Sequence, residues 1–355
     1  MPTAEECSLG RRLQAAAAAD PERPLLVLED GTAVSCREVC EEVGTLAVGL
    51  AELGVAPGDR VLVWLPTSRA MVRAIFALSA LGATIVPLNP ALRGSILAQL
   101  IAISDATVMI CHPQLVERLR EVATGGLRTV VVTGETGERM EDIELLPEHE
   151  LARSGSPTPR LVEPWDIAAI IFSSGTTGPS KGVRVPAAQL WTLAQAFYGY
   201  MRSDDRMLLM YPLFHIAGFS ALVGVINAGA SMAVTEAFSA TEFWSVLRRT
   251  GSTTTPGLGP TFIDILSKPD PQQGDADNRL RHVNVQAITP AARAFAARFG
   301  CTIMGSYSMT ETSGICVSEI DHAPEGAVGR PRDGVQIRIV DGNDIEVPGG
   351  EPGEL

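Results

Sequence analysis

The sequence predicts an α/β protein: two facing α/β lobes with largely parallel sheets, followed by the start of a β-rich subdomain. Three observations carry this. Short β-prone apolar runs alternate with amphipathic helical stretches over residues 35–304, which is the pattern of parallel sheets with covered faces. The chain has 355 residues, 46% of them hydrophobic, enough for more than one core. From residue 326 onward the texture changes to short alternating runs broken by Gly and Pro.

The elements follow in order. The alanine run at 15–19 is good helix material. Ser35 and Glu38 form a capping-box pattern. The helix it opens carries Val39, Val43, Leu46, Leu50 and Leu53 at helical spacing, and Gly54 closes it. A strand is expected at 61–65, a helix at 68–81, a strand at 84–86, a helix at 95–104 and a strand at 107–111. A helix near 115–122 and a strand at 130–133 continue the pattern. Residues 134–164 are polar, acidic and Pro-rich, and read as a linker or surface excursion. The alternation resumes with a strand at 167–172, a helix at 187–200 and a strand at 207–210. Further strands are expected at 231–234, 252–255, 282–285 and 302–304. Residues 335–340 alternate as a half-buried strand should, and Asp341-Gly342-Asn343-Asp344 reads as a turn. The expected domains are therefore 1–164, 165–325 and a β-rich start at 326–355.

Composition narrows the function. A net charge of −13 argues against nucleic acid, which demands basic surface, and against an anionic membrane. The six cysteines, Cys7, Cys36, Cys40, Cys111, Cys301 and Cys316, lack metal-ligand spacing and read as reduced thiols. The N-terminus has no basic region followed by an apolar stretch, so the expected location is cytoplasmic. The apolar window 218–234 is interrupted by Asn227 and glycines and reads as a helix plus a strand, not a membrane span.

The chemistry concentrates in Ser173-Ser174-Gly175-Thr176-Thr177-Gly178-Pro179-Ser180-Lys181-Gly182, which follows an apolar strand. Glycines let backbone N–H groups approach an anion. Hydroxyls add donors, and Lys181 adds a mobile charge suited to phosphate oxygens. The order is not that of a Walker A loop, which ends Gly-Lys-Ser/Thr. A flexible turn between strands is the plain alternative. A second motif, Tyr307-Ser308-Met309-Thr310-Glu311-Thr312, follows the strand at 302–304. Tyr307 offers a flat face for a base, Thr310 a hydroxyl for phosphate and Glu311 a hard oxygen for Mg²⁺. Alone, this hexapeptide reads equally well as a solvated helix start.

Together, in this order and separation, the two motifs resemble those of the adenylate-forming superfamily of acyl-CoA synthetases, luciferases and peptide-synthetase adenylation domains. Tyr211-Pro212-Leu213-Phe214-His215-Ile216-Ala217-Gly218 is similar to that family's Pro-x-x-His segment. Asp59-Arg60-Val61, Gly82-Ala83, Val86-Pro87-Leu88-Asn89-Pro90, Gly326-Ala327-Val328-Gly329-Arg330-Pro331 and Gly350-Glu351-Pro352-Gly353-Glu354-Leu355 extend the likeness over nearly the whole chain. Its flavour is that of carnitine/crotonobetaine-type acyl-CoA ligases.

The resemblance implies roles. Ser173, Ser174, Gly175, Thr176, Thr177, Gly178 and Lys181 would hold the ATP phosphates. Ser306 and Tyr307 would lie at the adenine, Thr310 at the α-phosphate, and Glu311 would bind magnesium. His215, Gly218, Gly257, Ala287 and Gly305 would line the acid pocket, where small residues leave room for a ring or a medium chain. The implied reaction joins a carboxylic acid to AMP with loss of pyrophosphate, and coenzyme A then displaces AMP. A carrier-protein thiol, an amine, or a substrate other than a carboxylate are open alternatives, as is a nucleotide-binding module without catalysis. A homodimer is only the generic expectation.

Two departures stand out. The family's Gly-Tyr-Gly becomes Ser306-Tyr307-Ser308, and its Gly-Gly-Ala-Pro loop becomes Asn284-Val285-Gln286-Ala287-Ile288-Thr289-Pro290. The resemblance also places the ribose-binding Asp and a small mobile domain with a catalytic lysine beyond Leu355. The expectation is a portion that folds, binds nucleotide weakly and turns over poorly.

Overall fold

The computed structural model describes residues 1–355 except 136, 138, 152–154, 156 and 174–180. The chain opens with α1 (Ala4–Cys7) and α2 (Leu9–Ala19), the latter made of the alanine run. The hairpin β1 (Pro24–Leu28) and β2 (Ala33–Ser35) follows. In α3 (Cys36–Glu52) the capping box forms as read: Ser35 Oγ accepts from the Glu38 N–H, and Glu38 accepts from the Ser35 N–H. Next come β3 (Arg60–Trp64) and α4 (Arg69–Leu81), which Ser68 caps and Gly82 ends in the left-handed region at φ 71°. Then come β4 (Thr84–Pro87), α5 (Gly94–Ser104), β5 (Val108–Cys111), β6 (Thr129–Val132) and β7 (Glu144–Pro147). The hairpin β8 (Ile167–Ser173) and β9 (Lys181–Pro186) leads into α6 (Ala187–Tyr198). The pattern continues through β10 (Arg206–Leu209), α7 (Ile216–Ala228), β11 (Ser231–Val234), α8 (Phe243–Thr250), β12 (Thr254–Leu258) and α9 (Pro260–Ser267). It ends with β13 (His282–Val285), α10 (Pro290–Phe299), β14 (Thr302–Met309), β15 (Ser313–Val317) and β16 (Arg330–Pro331).

These strands form two sheets. One has the order β7-β6-β5-β3-β4-β8-β9, parallel except for β9. The other has the order β16-β15-β14-β13-β12-β10-β11-β1-β2, parallel from β14 to β1 and antiparallel at its edges. Side-chain alternation sorts the core. Val61, Val63, Ile85 and Ile110 of the first sheet share one cluster with Met207, Leu209 and Met232 of the second, filled by α2, α3, α4, α6 and α7. Leu62, Trp64, Val86 and Met109 face outward under α5. Leu208, Val283, Val285 and Ile303 face outward under α8, α9 and α10. The result is five layers, with one helical layer serving both sheets.

A buried carboxylate staples the N-terminal edge of the second sheet. Asp205, just before β10, accepts from Thr253 Oγ1 at 2.6 Å and from the Arg281 guanidinium. Burial alone would raise the Asp205 carboxyl, but the hydrogen bonds from Arg281 and Thr253 outweigh it and hold the carboxyl low.

The structure corrects several expectations. Residues 134–164 are not all linker, since β7 pairs with β6. Its acidic start and closing proline suit an edge strand and hide it from a hydrophobic scan. The sheets also exchange strands across residue 164: β1 and β2 join the nine-stranded sheet, while β8 and β9 belong to the seven-stranded one. The segment near 115–122 is 3₁₀ rather than α, started by Pro113. Residues 335–340 form no strand; only Val340 bridges to Glu346 and Glu354. Their alternation is right, but a strand also needs a partner beside it. The strand expected at 302–304 runs on to Met309, so Tyr307 lies within β14, and Thr310-Glu311-Thr312 forms a hairpin turn rather than a helix start.

Gly329 shows why the Gly326–Pro331 motif has its spacing. It sits at φ +123°, and a Cβ there would fall 2.2 Å from the Val317 carbonyl carbon. Gly329→Ala should force β16 off β15 and lower the unfolding free energy by about 1–3 kcal/mol, read as a drop in denaturant midpoint. Gly342→Ala, with nothing within 4 Å, should leave the midpoint in place.

Candidate active site

The β8–β9 hairpin presents the phosphate-loop residues. Ser173 and Lys181 pair across its mouth. Ser174, Gly175, Thr176, Thr177 and Gly178 lie outside the described residues. Lys181 is exposed and forms no ion pair among the described residues.

The second motif is a second hairpin. Tyr307 pairs with Cys316, Ser308 with Gly314 and Met309 with Ser313, and the register slips between Tyr307 and Ser308. Such a bulge re-aims side chains locally. The turn at 310–312 is closed by Ser313 in the left-handed region at φ 69°, a costly conformation for a residue with a Cβ. What holds it is α6. Gln189 Nε2 donates to the Thr310 carbonyl at 2.7 Å, and Ser313 Oγ donates to the Gln189 carbonyl at 3.4 Å. Because α6 follows β9 with no intervening loop, one continuous segment connects Lys181 to the turn bearing Thr310 and Glu311. Glu311 itself is exposed. Among the described residues, the Lys181 and Glu311 side chains make no direct contact.

The remaining candidates lie along the C-terminal ends of β10, β12, β13 and β14, which are neighbours in the sheet. That edge is where open parallel sheets hold ligands. Past β10, His215 caps α7, its Nδ1 accepting from the Ala217 N–H at 3.2 Å. An accepting Nδ1 leaves the proton on Nε2. The ring keeps an exposed edge, yet the surrounding protein disfavours its cation and lowers its pKa. His215 is thus a neutral donor near pH 7. It stacks on Tyr211 at 6.1 Å, and Tyr211 meets Phe262 edge-on at 5.9 Å. Leu213 N–H donates to Thr67 Oγ1 at 3.2 Å, tying this segment to the loop after β3 in the other sheet.

The small residues have different uses. A Cβ on Gly218 would fall 2.3 Å from the Pro212 carbonyl oxygen, so this glycine lets α7 close on the preceding turn. A Cβ on Gly257 would sit 3.6 Å from Asn284 Oδ1, an ordinary contact. Gly305 N–H donates to Ser318 Oγ at 2.8 Å, and its α-carbon packs under the Ala327 and Val328 carbonyls. Ala287 is half-buried, and the next residue, Ile288, exchanges backbone hydrogen bonds with Ala327 and Gly326. The Gly326 motif therefore braces both the 284–290 loop and β14.

Sequence reasoning did not single out Gln189, His282 or the contact between Asn284 and Ser306. Ser306 Oγ donates to Asn284 Oδ1 at 2.5 Å. Strand parity held the signal: Val283 and Val285 face the outer core, so His282 and Asn284 must face inward. His282 is 4% exposed. It shares a hydrogen bond with Thr302 Oγ1 at 2.7 Å and packs its ring 3.9 Å from Tyr200, whose hydroxyl meets Thr254 Oγ1 at 2.6 Å. Burial pushes the imidazole pKa down to about 4. The unfolded chain then binds a proton that the folded chain refuses. Stability is full above about pH 6.5 and lost as pH falls toward 4, by on the order of 3 kcal/mol. Denaturant titrations across this range should show the loss, and His282→Gln should flatten it relative to the parent.

Comparison with known proteins gives this geometry a context. The crotonobetaine/carnitine–CoA ligase of Salmonella paratyphi A is 29% identical over 335 residues, covering 89% of this chain and 63% of that protein. The sulfoacetate–CoA ligase of Cupriavidus necator is 29% identical over 345 residues, covering 94% and 66%. The chain thus spans slightly under two thirds of the length of these curated relatives. The anthranilate CoA ligase AuaEII, solved with anthranoyl-AMP, superposes with a TM-score of 0.85 at 23% identity, covering 98% of this chain and 68% of that one. A fatty acyl CoA synthetase of Mycobacterium tuberculosis superposes at 0.81 with 20% identity, covering 96% and 68%. At these identities the structures speak for the fold alone. The family described as AMP-binding enzyme matches residues 13–355, and the chain belongs to it.

Proposed function

We propose that this chain activates a carboxylic acid with ATP, forming an acyl-adenylate and pyrophosphate, and that the acyl group passes to the thiol of coenzyme A. The observation that carries the reading is the continuous path from Lys181 through β9 and α6 to the Gln189 bond on Thr310. It makes the two phosphate-type motifs parts of one framework. The names of the relatives, all coenzyme A ligases, favour that thiol over a carrier protein.

The residues fit the chemistry. An acid is already ionised at neutral pH, so its attack on the α-phosphorus needs no general base. The demand is for positioning and for charge neutralisation as the pyrophosphate leaves. Lys181 is exposed at the mouth of the loop and free of ion pairs among the described residues, so its charge is available to phosphate oxygens. Glu311 is likewise exposed on its turn and would hold magnesium, whose role when bound is to offset phosphate charge. Thr310 would present its hydroxyl to the α-phosphate, with its own carbonyl fixed by Gln189. His215, neutral and with its proton on Nε2, would donate at the acid's side of the cleft.

Calorimetry with ATP, with and without MgCl₂, tests this. Glu311→Gln should abolish the magnesium-dependent part of binding, while Lys181→Ala should weaken binding in both conditions. Metal-dependent binding unchanged in Glu311→Gln would refute the magnesium assignment. In acid-dependent pyrophosphate release, Lys181→Ala should reduce turnover by about 10²–10³-fold.

A further inference from the structure

We propose that Asn284 is a specificity-determining residue of the acid site. In this reading its side-chain NH₂ donates to a neutral oxygen on the body of the acid, so the chain selects hydroxyl-, keto- or ether-bearing acids over plain hydrocarbon ones. The inference rests on the acid-activation reading above.

Asn284 is 1% exposed, and its Nδ2 has no hydrogen-bond partner among the described residues. Its Oδ1 is engaged by Ser306 Oγ at 2.5 Å. In the structure the amide oxygen faces β14 and the NH₂ is left over. A buried donor without an acceptor is destabilising, because it gives up water without gaining a partner. Buried amides are normally satisfied, and an exception calls for an explanation.

Position supplies one. Asn284 lies on the inward face of β13, one residue before the strand's C-terminal end. Across the sheet are Gly257, whose Cβ position is 3.6 Å from Oδ1, and Ser306. His215 stands beyond β10 on the same edge of the sheet. Gly257 brings no side chain to meet the amide. The two departures noted in the sequence, at 284 and 306, are thus one feature, a polar floor with an oriented donor. A site that must hydrogen-bond its substrate discriminates strongly against an analogue lacking the acceptor, because the buried group is then left unpaired. No lysine or arginine side chain bonds to Asn284 or Ser306 among the described residues, so the matching group is a neutral oxygen rather than a second anion.

The test pairs acids that differ by one oxygen: hexanoate with 5-oxohexanoate, and benzoate with 3-hydroxybenzoate and 4-methoxybenzoate. Pyrophosphate release and the rise in melting temperature with Mg·ATP plus acid are read in parallel. The parent should favour at least one oxygenated acid over its partner by roughly ten- to a hundredfold in kcat/KM. Asn284→Leu should erase that preference and improve the hydrocarbon acid. Ser306→Ala keeps the amide but releases its orientation, and should lose part of the preference; it serves also if Asn284→Leu folds poorly. An acid ranking unchanged in both variants, or a parent that favours the hydrocarbon acids, would overturn the proposal while leaving adenylation standing. A parent that binds Mg·ATP but responds to no acid in either readout would overturn the acid-activation reading, and this inference with it.

Discussion

The helices between the two sheets bury one face of each, and the rest of the molecule depends on that shared layer. A parallel sheet must be covered on both sides. Here Phe219 and Leu222 of α7, Leu190 and Leu193 of α6 and Met71 and Ile75 of α4 sit in one cluster with strand residues from both sheets. The lobes therefore have a common core rather than a hinge of loops. Each side chain contributes a few kcal/mol at most, but together they fix how the C-terminal edges of the two sheets face one another. Thr67, in the loop after β3, and Leu213, in the segment after β10, can bond only because of that arrangement.

The same layer carries the chemistry. α6 starts directly from the strand that begins at Lys181, and its first turn grips the Thr310 carbonyl through Gln189. α7 starts at His215, which serves its own helix as a cap and has its tautomer set by doing so. A capping histidine that accepts at Nδ1 is a donor at Nε2 and stays neutral where burial disfavours the cation. Local helix chemistry and site chemistry are here a single arrangement. The left-handed Ser313 is tolerated for a related reason: α6 holds both ends of the turn that requires it.

Polar groups behind the site differ in how far they are satisfied. Asp205 has Arg281 and Thr253, and its charge is stabilised despite burial. Among the described residues, His282 has Thr302 on one nitrogen and no partner on the other. Asn284 likewise has Ser306 on its oxygen and no partner on its nitrogen. Asp205 and His282 stand toward the N-terminal edge of the sheet, and Asn284 stands near the C-terminal edge, where open parallel sheets hold ligands.

The sequence by itself determined the α/β class, the helices from α3 to α7, most of the central parallel strands, the capping box at Ser35 and the family motifs, because each is written in local spacing. It singled out Lys181, Thr310, Glu311 and His215 through the motifs that hold them. Pairings are not local, and those were decided only by the tertiary structure. The sheet to which β1, β2, β8 and β9 belong, the strand hidden at 144–147 and the failure of 335–340 to pair all depend on which neighbour is available. The bond between Asn284 and Ser306 is of the same kind. Sequence displays two unusual residues 22 positions apart, and only the parallel register of β13 and β14, which sets Asn284 opposite Met304, brings Ser306 within its reach, since a strand's hydrogen-bonding partners are chosen by the sheet and not by the strand.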